Sequence, residues 1–276
     1  MAARTTGQID HVMVESEGTA FFVSLQHQFG QLFILLHDNG QILFRQCRGI
    51  ALGTDHRFHT QFVEARGGKE YYMRGTFTHA NPDFLKDIQT MLDLGFSELS
   101  MEPVVCAEGD PSGLTPADLE IVMDQYEKLA ELMLERDKAG KPFTFYHYMI
   151  DLTGGPCIYK RISGCGSGTE YMAVTPWGDL YPCHQFVGEE RFKLGNIWDG
   201  VTNTDIQAEF AACNVYAHPE CHDCWARLYC SGGCAANAYH ATGSVTGVYE
   251  SGCKLFRKRM ECAIMVAIAR MLGQNG

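Results

Sequence analysis

The sequence predicts an α/β chain: one piece of a parallel α/β sheet or barrel, then a loop-rich, cysteine-dense region closed by a C-terminal helix. Three observations carry this reading. Strand and helix patterns alternate between residues 69 and 140 at the spacing of a βαβ unit. Turn residues take over after "FTFYHYMIDLTGGP". Ten of the twelve cysteines lie at or beyond Cys157, so the two regions differ in chemical character.

Residues 1–65 are left unassigned. They hold no lysine and five of the eleven histidines, namely His11, His27, His37, His56 and His59. Their apolar residues keep no sustained helical or strand period, which predicts an irregular α/β segment. Residues 66–150 form the orderly α/β region. "EYYMRGTFTH" is a β-branched and aromatic run of strand length. "NPDFLKDIQTMLDLG" follows as a helix with Asn81 as N-cap, Pro82 at its first position and Gly95 as stop. Phe84, Ile88, Met91 and Leu92 fall on one face of it. "SELSMEPVV" reads as the next strand. The long helix that follows has a Thr115/Asp118 capping box and ends at Gly140. Residues 151–276 form the cysteine-dense region. Its closing helix, "CKLFRKRMECAIMVAIARM", presents Leu255, Met260, Ile264 and Ala267 for packing on the preceding module.

A formal net charge of −11 argues against affinity for phosphate backbones or acidic membranes, so neither nucleic acid nor membrane is an expected partner. The most apolar window, "AFFVSLQHQFGQLFILL", is broken by Gln26, His27, Gln28 and Gln31, and no targeting segment stands at the N-terminus. The expected location is the cytoplasm. In that reducing compartment clustered cysteines point to metal or catalysis rather than to disulfides.

The clustered cysteines run Cys165-x12-Gly178-x4-Cys183, then Cys221-x2-Cys224-x5-Cys230-x3-Cys234, then Cys253. Seven thiolates are too many for one tetrahedral centre and nearly enough for two four-ligand sites. A zinc ribbon normally supplies two separated Cys-x2-Cys pairs, whereas only Cys221 and Cys224 form one here. A zinc-stabilised interaction module stays as an alternative. Iron–sulfur clusters need several thiolates on turn-rich backbone whose N–H groups reach the sulfides, and "CSGGC" provides such backbone. Cys47, Cys106, Cys213 and Cys262 read as unligated core thiols.

At these residues the chain resembles the SPASM domain, the auxiliary-cluster module of radical S-adenosylmethionine (SAM) enzymes that modify peptides and proteins. The flanking "GTEYMAVTPWGDLYPCHQFVGEERFKLGNIWDG" and "CSGGCAANAYHATG" resemble, more narrowly, the maturases that form thioether cross-links in SCIFF peptides. The resemblance covers roughly residues 62–270. It implies a partial TIM-like barrel followed by a SPASM domain with two 4Fe–4S clusters. Cys221, Cys224, Cys230 and Cys253 would then hold the distal cluster. Cys165, Cys183 and Cys234 would hold the proximal one, with its fourth site taken by Cys157 or left open for a substrate thiolate; the preferred reading of Cys157 itself is a buried, unligated thiol. It further implies a cysteine-rich precursor peptide as partner, an electron donor such as flavodoxin or ferredoxin, and SAM as the family's cosubstrate.

The parent family opens its barrel with Cys-x3-Cys-x2-Cys, which leaves one iron free for SAM. Here the sole Cys-x3-Cys is Cys230 to Cys234, and Asn237 stands where the third cysteine belongs. No Gly-Gly-Glu strand stands upstream of residue 69, and only about two strand–helix pairs are convincing. The expectation is a chain unable to cleave SAM by itself, corresponding to the C-terminal portion of such a maturase, with residues 1 to about 60 as an out-of-frame or replaced N-terminus. A degenerate paralogue that binds a peptide or carries electrons is the other reading. Among remaining candidates, His218, His222 and His240 read as scattered histidines, and His184 as a neighbour of a cluster. Glu102, Asp151 and Glu170 are possible contributors to a substrate site, with solvated or structural roles preferred. "GGPC" at 154–157 is too short for a phosphate loop, and no Ser/His/Asp arrangement can be defended.

Overall fold

The computed structural model describes residues 72–107, 109–152, 154 and 157–273, together with the backbone of four strands nearer the N-terminus. Those strands are β1 (His11–Ser16), β2 (Thr19–Ser24), β3 (Gln31–Asp38) and β4 (Gln41–Arg48). They correct the irregular reading of this segment. β1 pairs antiparallel with β2, and β3 with β4, the latter from Asp38↔Gln41 to Gln31↔Arg48. In sequence, Asn39-Gly40 stands between β3 and β4, a hairpin signal that apolar periodicity alone does not weigh. The side chain of Cys47, and all of His27, His56 and His59, lie outside the described residues.

The chain divides into two compact units. The first comprises residues 1–104, 114–150 and 261–276, and the second residues 105–113 and 151–260.

In the first unit β5 (Tyr72–Phe77) runs parallel to β6 (Glu98–Pro103), which runs parallel to β7 (Thr144–Phe145). The parallel sheet is therefore as expected, but β1 and β2 extend it antiparallel beyond β5, in the order β2-β1-β5-β6-β7. The crossovers are α1 (Leu85–Asp93) and α2 (Pro116–Lys138). β5 alternates cleanly, with Met73, Gly75 and Phe77 buried. Phe77 stacks on Phe84 at 4.8 Å, and Phe84 meets Tyr126 edge-on at 5.2 Å. The buried Tyr148 hydroxyl donates to the Tyr126 carbonyl at 2.7 Å. These rings, with Ile88, Met91, Leu99 and Leu129, make an apolar core.

Local signals account for the helix ends. The Thr115/Asp118 capping box is formed, and burial, which raises the Asp118 carboxyl, is overcome by hydrogen bonds from Thr115 and His79 that hold it below the ordinary value. Gly95 and Gly140 follow the two helices with φ of +88° and +68°. Asn81, however, does not cap α1. Its side-chain oxygen accepts from the Thr78 amide and hydroxyl, both at 2.9 Å, so it closes the turn before the helix, and α1 starts three residues later than Pro82 suggests.

The second unit carries a small antiparallel sheet, ordered β11-β10-β9-β8, from β8 (Ala173–Val174), β9 (Asp179–Tyr181), β10 (Gly195–Asn196) and β11 (Gly200–Val201). Its helices are short: α3 (Ile158–Ser163), α4 (Thr204–Ala212), α5 (Arg227–Cys230) and α6 (Ala235–Thr242). Phe186, Phe192 and Phe210 meet at 4.5 to 5.8 Å and form a core with Tyr181, Cys183, Ala236 and Val245. The last helix, α7 (Glu250–Gly273), begins in this unit with Leu255 and Met260 buried. From Glu261 it belongs to the first unit, a difference from the packing expected of its C-terminal half. There Ala263 and Val266 are buried, while Ile264 and Ala267 are half-buried. Arg270 grips Asp137 with two hydrogen bonds of 2.6 and 3.0 Å. Among the described residues no helix is long and apolar enough to cross a membrane.

Candidate metal centres

All eleven described cysteines carry free thiols. In the second unit they fall into two groups. Cys221, Cys224, Cys230 and Cys253 act on one another: burial pushes the Cys230 thiol up to about 12, and Cys253, Cys221 and Cys224 add to it. Burial likewise raises Cys221, followed by Cys253 and Cys224. In the other group burial raises Cys183, with Cys234 and Cys165 adding to it. Cys213 joins this second group, because burial lifts its thiol to about 11 and Cys165 and Cys234 are its next strongest influences. Cys183, Cys213, Cys221 and Cys230, raised in this way, favour the protonated thiol, and binding a metal would replace that proton.

Local backbone explains the crossing between the groups. α5 ends at Cys230, and Ser231, Gly232 and Gly233 follow with φ of +59°, +91° and +89°. Three left-handed residues in a row turn the chain so that Cys234 leaves the group its neighbour joins. A Cβ on Gly232 would stand 2.9 Å from the His218 ring, so only glycine allows that approach.

Cys165, Cys213, His218, Gly232 and Gly233 line a cavity of about 280 Å³. His218, read from sequence as one of several scattered histidines, is 2% exposed. Its Nδ1 lies 3.0 Å from the Thr246 carbonyl, which can only accept, so Nδ1 carries a proton in that hydrogen bond. His184 is exposed and contacts Tyr171 through Nδ1 at 3.3 Å. Cys157, expected as a buried thiol, is instead exposed, because it sits at the N-cap of the short surface helix α3. Gly155 and Pro156 of "GGPC" lie outside the described residues. Of the core-thiol readings, Cys262 is buried, whereas Cys106 and Cys213 are only half-buried.

Among the described residues no group of three or more His, Cys, Asp or Glu converges on a point as a single metal ion requires. A 4Fe–4S cube makes no such demand, since each iron takes its own thiolate and the sulfurs stand apart around it. The donor set, all thiols on turn-rich backbone, fits that group.

The first unit holds a polar cluster that sequence reasoning touched only at Glu102. Arg74 and Ser100 are register partners, on the sheet face opposite Leu99 and Met101. His147 Nε2 lies 2.9 Å from Glu102 Oε1 and 3.2 Å from the Ser100 hydroxyl, and Arg74 stands 3.8 Å from the same carboxylate. Glu102 lies near the C-terminal end of β6, where parallel α/β sheets place their ligands. The other two carboxylates are local ties: Asp151 accepts from the Gly154 amide at 3.0 Å, and Glu170 pairs with Lys160.

Residues 165–225 match the family model of SPASM, described as an iron–sulfur cluster-binding domain. The chain contains a SPASM region. A protein of Archaeoglobus fulgidus described as uncharacterized is 24% identical over 258 residues, covering 86% of this chain and 62% of its own length. Coverage that wide leaves fewer residues unmatched than residues 1–65 contain, so the match reaches into that segment. Among solved structures, anSMEcpe, a radical SAM maturase, with bound AdoMet and the Kp18Cys peptide superposes with a TM-score of 0.55 at 19% identity, covering 77% of this chain and 60% of that one. The same protein with AdoMet and the Cp18Cys peptide gives 0.56 at 19% identity, over 78% of this chain and 62% of that one. The fold is thus similar to that of a radical SAM maturase. The chain spans about three-fifths of the length of these relatives.

Proposed function

We propose that this chain is an iron–sulfur protein carrying two 4Fe–4S clusters, equivalent to the C-terminal portion of a radical SAM peptide maturase. The observation that carries the reading is the division of the thiols within and beside the SPASM region into two groups. Cys221, Cys224, Cys230 and Cys253 hold the distal cluster, and Cys165, Cys183 and Cys234 supply three ligands of the proximal one. Bound there, such clusters supply one-electron redox centres. The chain's own residues fix their surroundings: Gly232 and Gly233 bring backbone close, and the Thr246 carbonyl holds the His218 ring at the cavity wall.

On this reading the substrate is a cysteine-rich ribosomal peptide, a flavodoxin or ferredoxin supplies electrons, and thioether formation is the chemistry served. The likeness of "GTEYMAVTPWGDLYPC" and "CSGGCAANAYHATG" to SCIFF maturases supports that choice. The absence of Cys-x3-Cys-x2-Cys from this chain favours a role in electron transfer or peptide binding without SAM cleavage. Incubating the anaerobically reconstituted chain with SAM and dithionite tests this. The expected result is no 5′-deoxyadenosine, and its formation would refute the assignment.

A further inference from the structure

A 4Fe–4S cube takes four terminal ligands, and the sequence motif supplies only three to the proximal group. We propose that Cys213 is the fourth, so that the chain itself closes the proximal centre and neither Cys157 nor a substrate thiol occupies that iron. This inference rests on the iron–sulfur reading above.

The geometry points to Cys213 through the cavity. Cys165 and Cys213 both line it, and Gly233 and Ala235, which flank Cys234, line it too. Ser167, which also lines the cavity, donates to the carbonyl of Pro182, the residue before Cys183, at 3.2 Å. Cys213 therefore shares one cavity with Cys165, and Cys234 and Cys183 are each next in sequence to a residue that lines the cavity or bonds to its wall. It caps α4 with extended backbone, φ −76° and ψ 93°, which turns it out of the helix. Its Sγ is held at the wall by the Val245 carbonyl at 3.2 Å, and Val245 lines the same cavity. Cys157 lacks these relations. It is exposed, precedes α3 with non-helical backbone at φ −48° and ψ 141°, and does not line the cavity. Ligation is a simple exchange: the Cys213 S–H bond breaks, an S–Fe bond forms, the proton leaves to solvent, and no electron is transferred.

The test uses the full chain, reconstituted anaerobically as parent, Cys213→Ala, Cys213→Ser and Cys157→Ala. Iron and sulfide are measured, and electron paramagnetic resonance spectra are taken after mild ferricyanide oxidation and after adding 2-mercaptoethanol to the reduced protein. Parent and Cys157→Ala should hold about eight irons and respond to neither reagent. Cys213→Ala should lose about one iron on oxidation, show a three-iron signal, and change spectrum when the added thiol fills the vacated position. Cys213→Ser, which keeps an oxygen donor, should fall between them, and the distal cluster signal reports folding in every variant. The inference is overturned if Cys213→Ala behaves as the parent, if Cys157→Ala shows the lability instead, or if the parent already responds to added thiol. A parent that takes up no iron overturns the iron–sulfur reading, and this inference with it.

Discussion

The first unit buries Phe77, Phe84, Tyr126 and Leu129 between a sheet and two crossover helices of 9 and 23 residues, and its core is apolar. The second has an aromatic core around Phe186, Phe192 and Phe210, but its helices run only four to nine residues before α7, and most of its thiols lie off that core. Of the thirteen described glycines with positive φ, eleven lie in the second unit. The contrast separates two ways of holding a chain. Regular backbone satisfies its own polar groups and stacks apolar faces, whereas irregular backbone such as that of 221–234 would, on the proposed reading, be joined by what the thiols bind.

The contrast is broken most forcefully by removing thiols. Replacing Cys221 and Cys224 together with alanine should lower iron from about eight to about four per chain, and should open the second unit to protease while the first stays resistant. Iron analysis with limited proteolysis and peptide mapping reads both effects; equal susceptibility of the two units would show that the metal is not what holds the second. The converse change is Phe84→Ala, which should cost about 3–5 kcal/mol in the first unit's denaturation transition and leave iron content unchanged. Next is Gly232→Ala, at about 1–3 kcal/mol, because a Cβ there meets the His218 ring and the backbone of Val215 at positive φ. Iron retention on dilution should fall with it. The smallest expected loss is about 1 kcal/mol for Thr115→Ala, from the α2 cap.

Asp118 gives the first unit a pH signature. Its folded-state carboxyl sits below its ordinary value, so the stabilisation is present above the ordinary carboxylate range and lost as pH falls through the folded value. Urea titrations across the acid range should show stability rising with pH, and Asp118→Asn should flatten that slope.

The same contrast explains what could be read from the sequence. The strand–helix alternation, the capping box and the glycine stops are short-range signals, and each stands where the spacing placed it. Asn81 failed as a cap because Thr78, three residues back, competed for its side chain. The strands at residues 11–48 were missed because periodicity was weighed without the Asn39-Gly40 pair between two of them. The seven motif cysteines were visible by spacing. Cys213 and His218 were not, because they reach the cavity by the fold of α4 and of the turn after it, and nothing in their local sequence sets them apart. His147 met Glu102 and Ser100 of β6 from the turn after β7, for the same reason.

The central claim is that two groups of thiols each hold a four-iron cluster. Its most direct test is anaerobic reconstitution of the full chain with ferrous iron and sulfide, followed by metal and sulfide analysis and absorption spectroscopy. The account predicts about eight irons and eight sulfides per chain with a broad band near ~400 nm. Uptake of zinc alone, without that band, would contradict it.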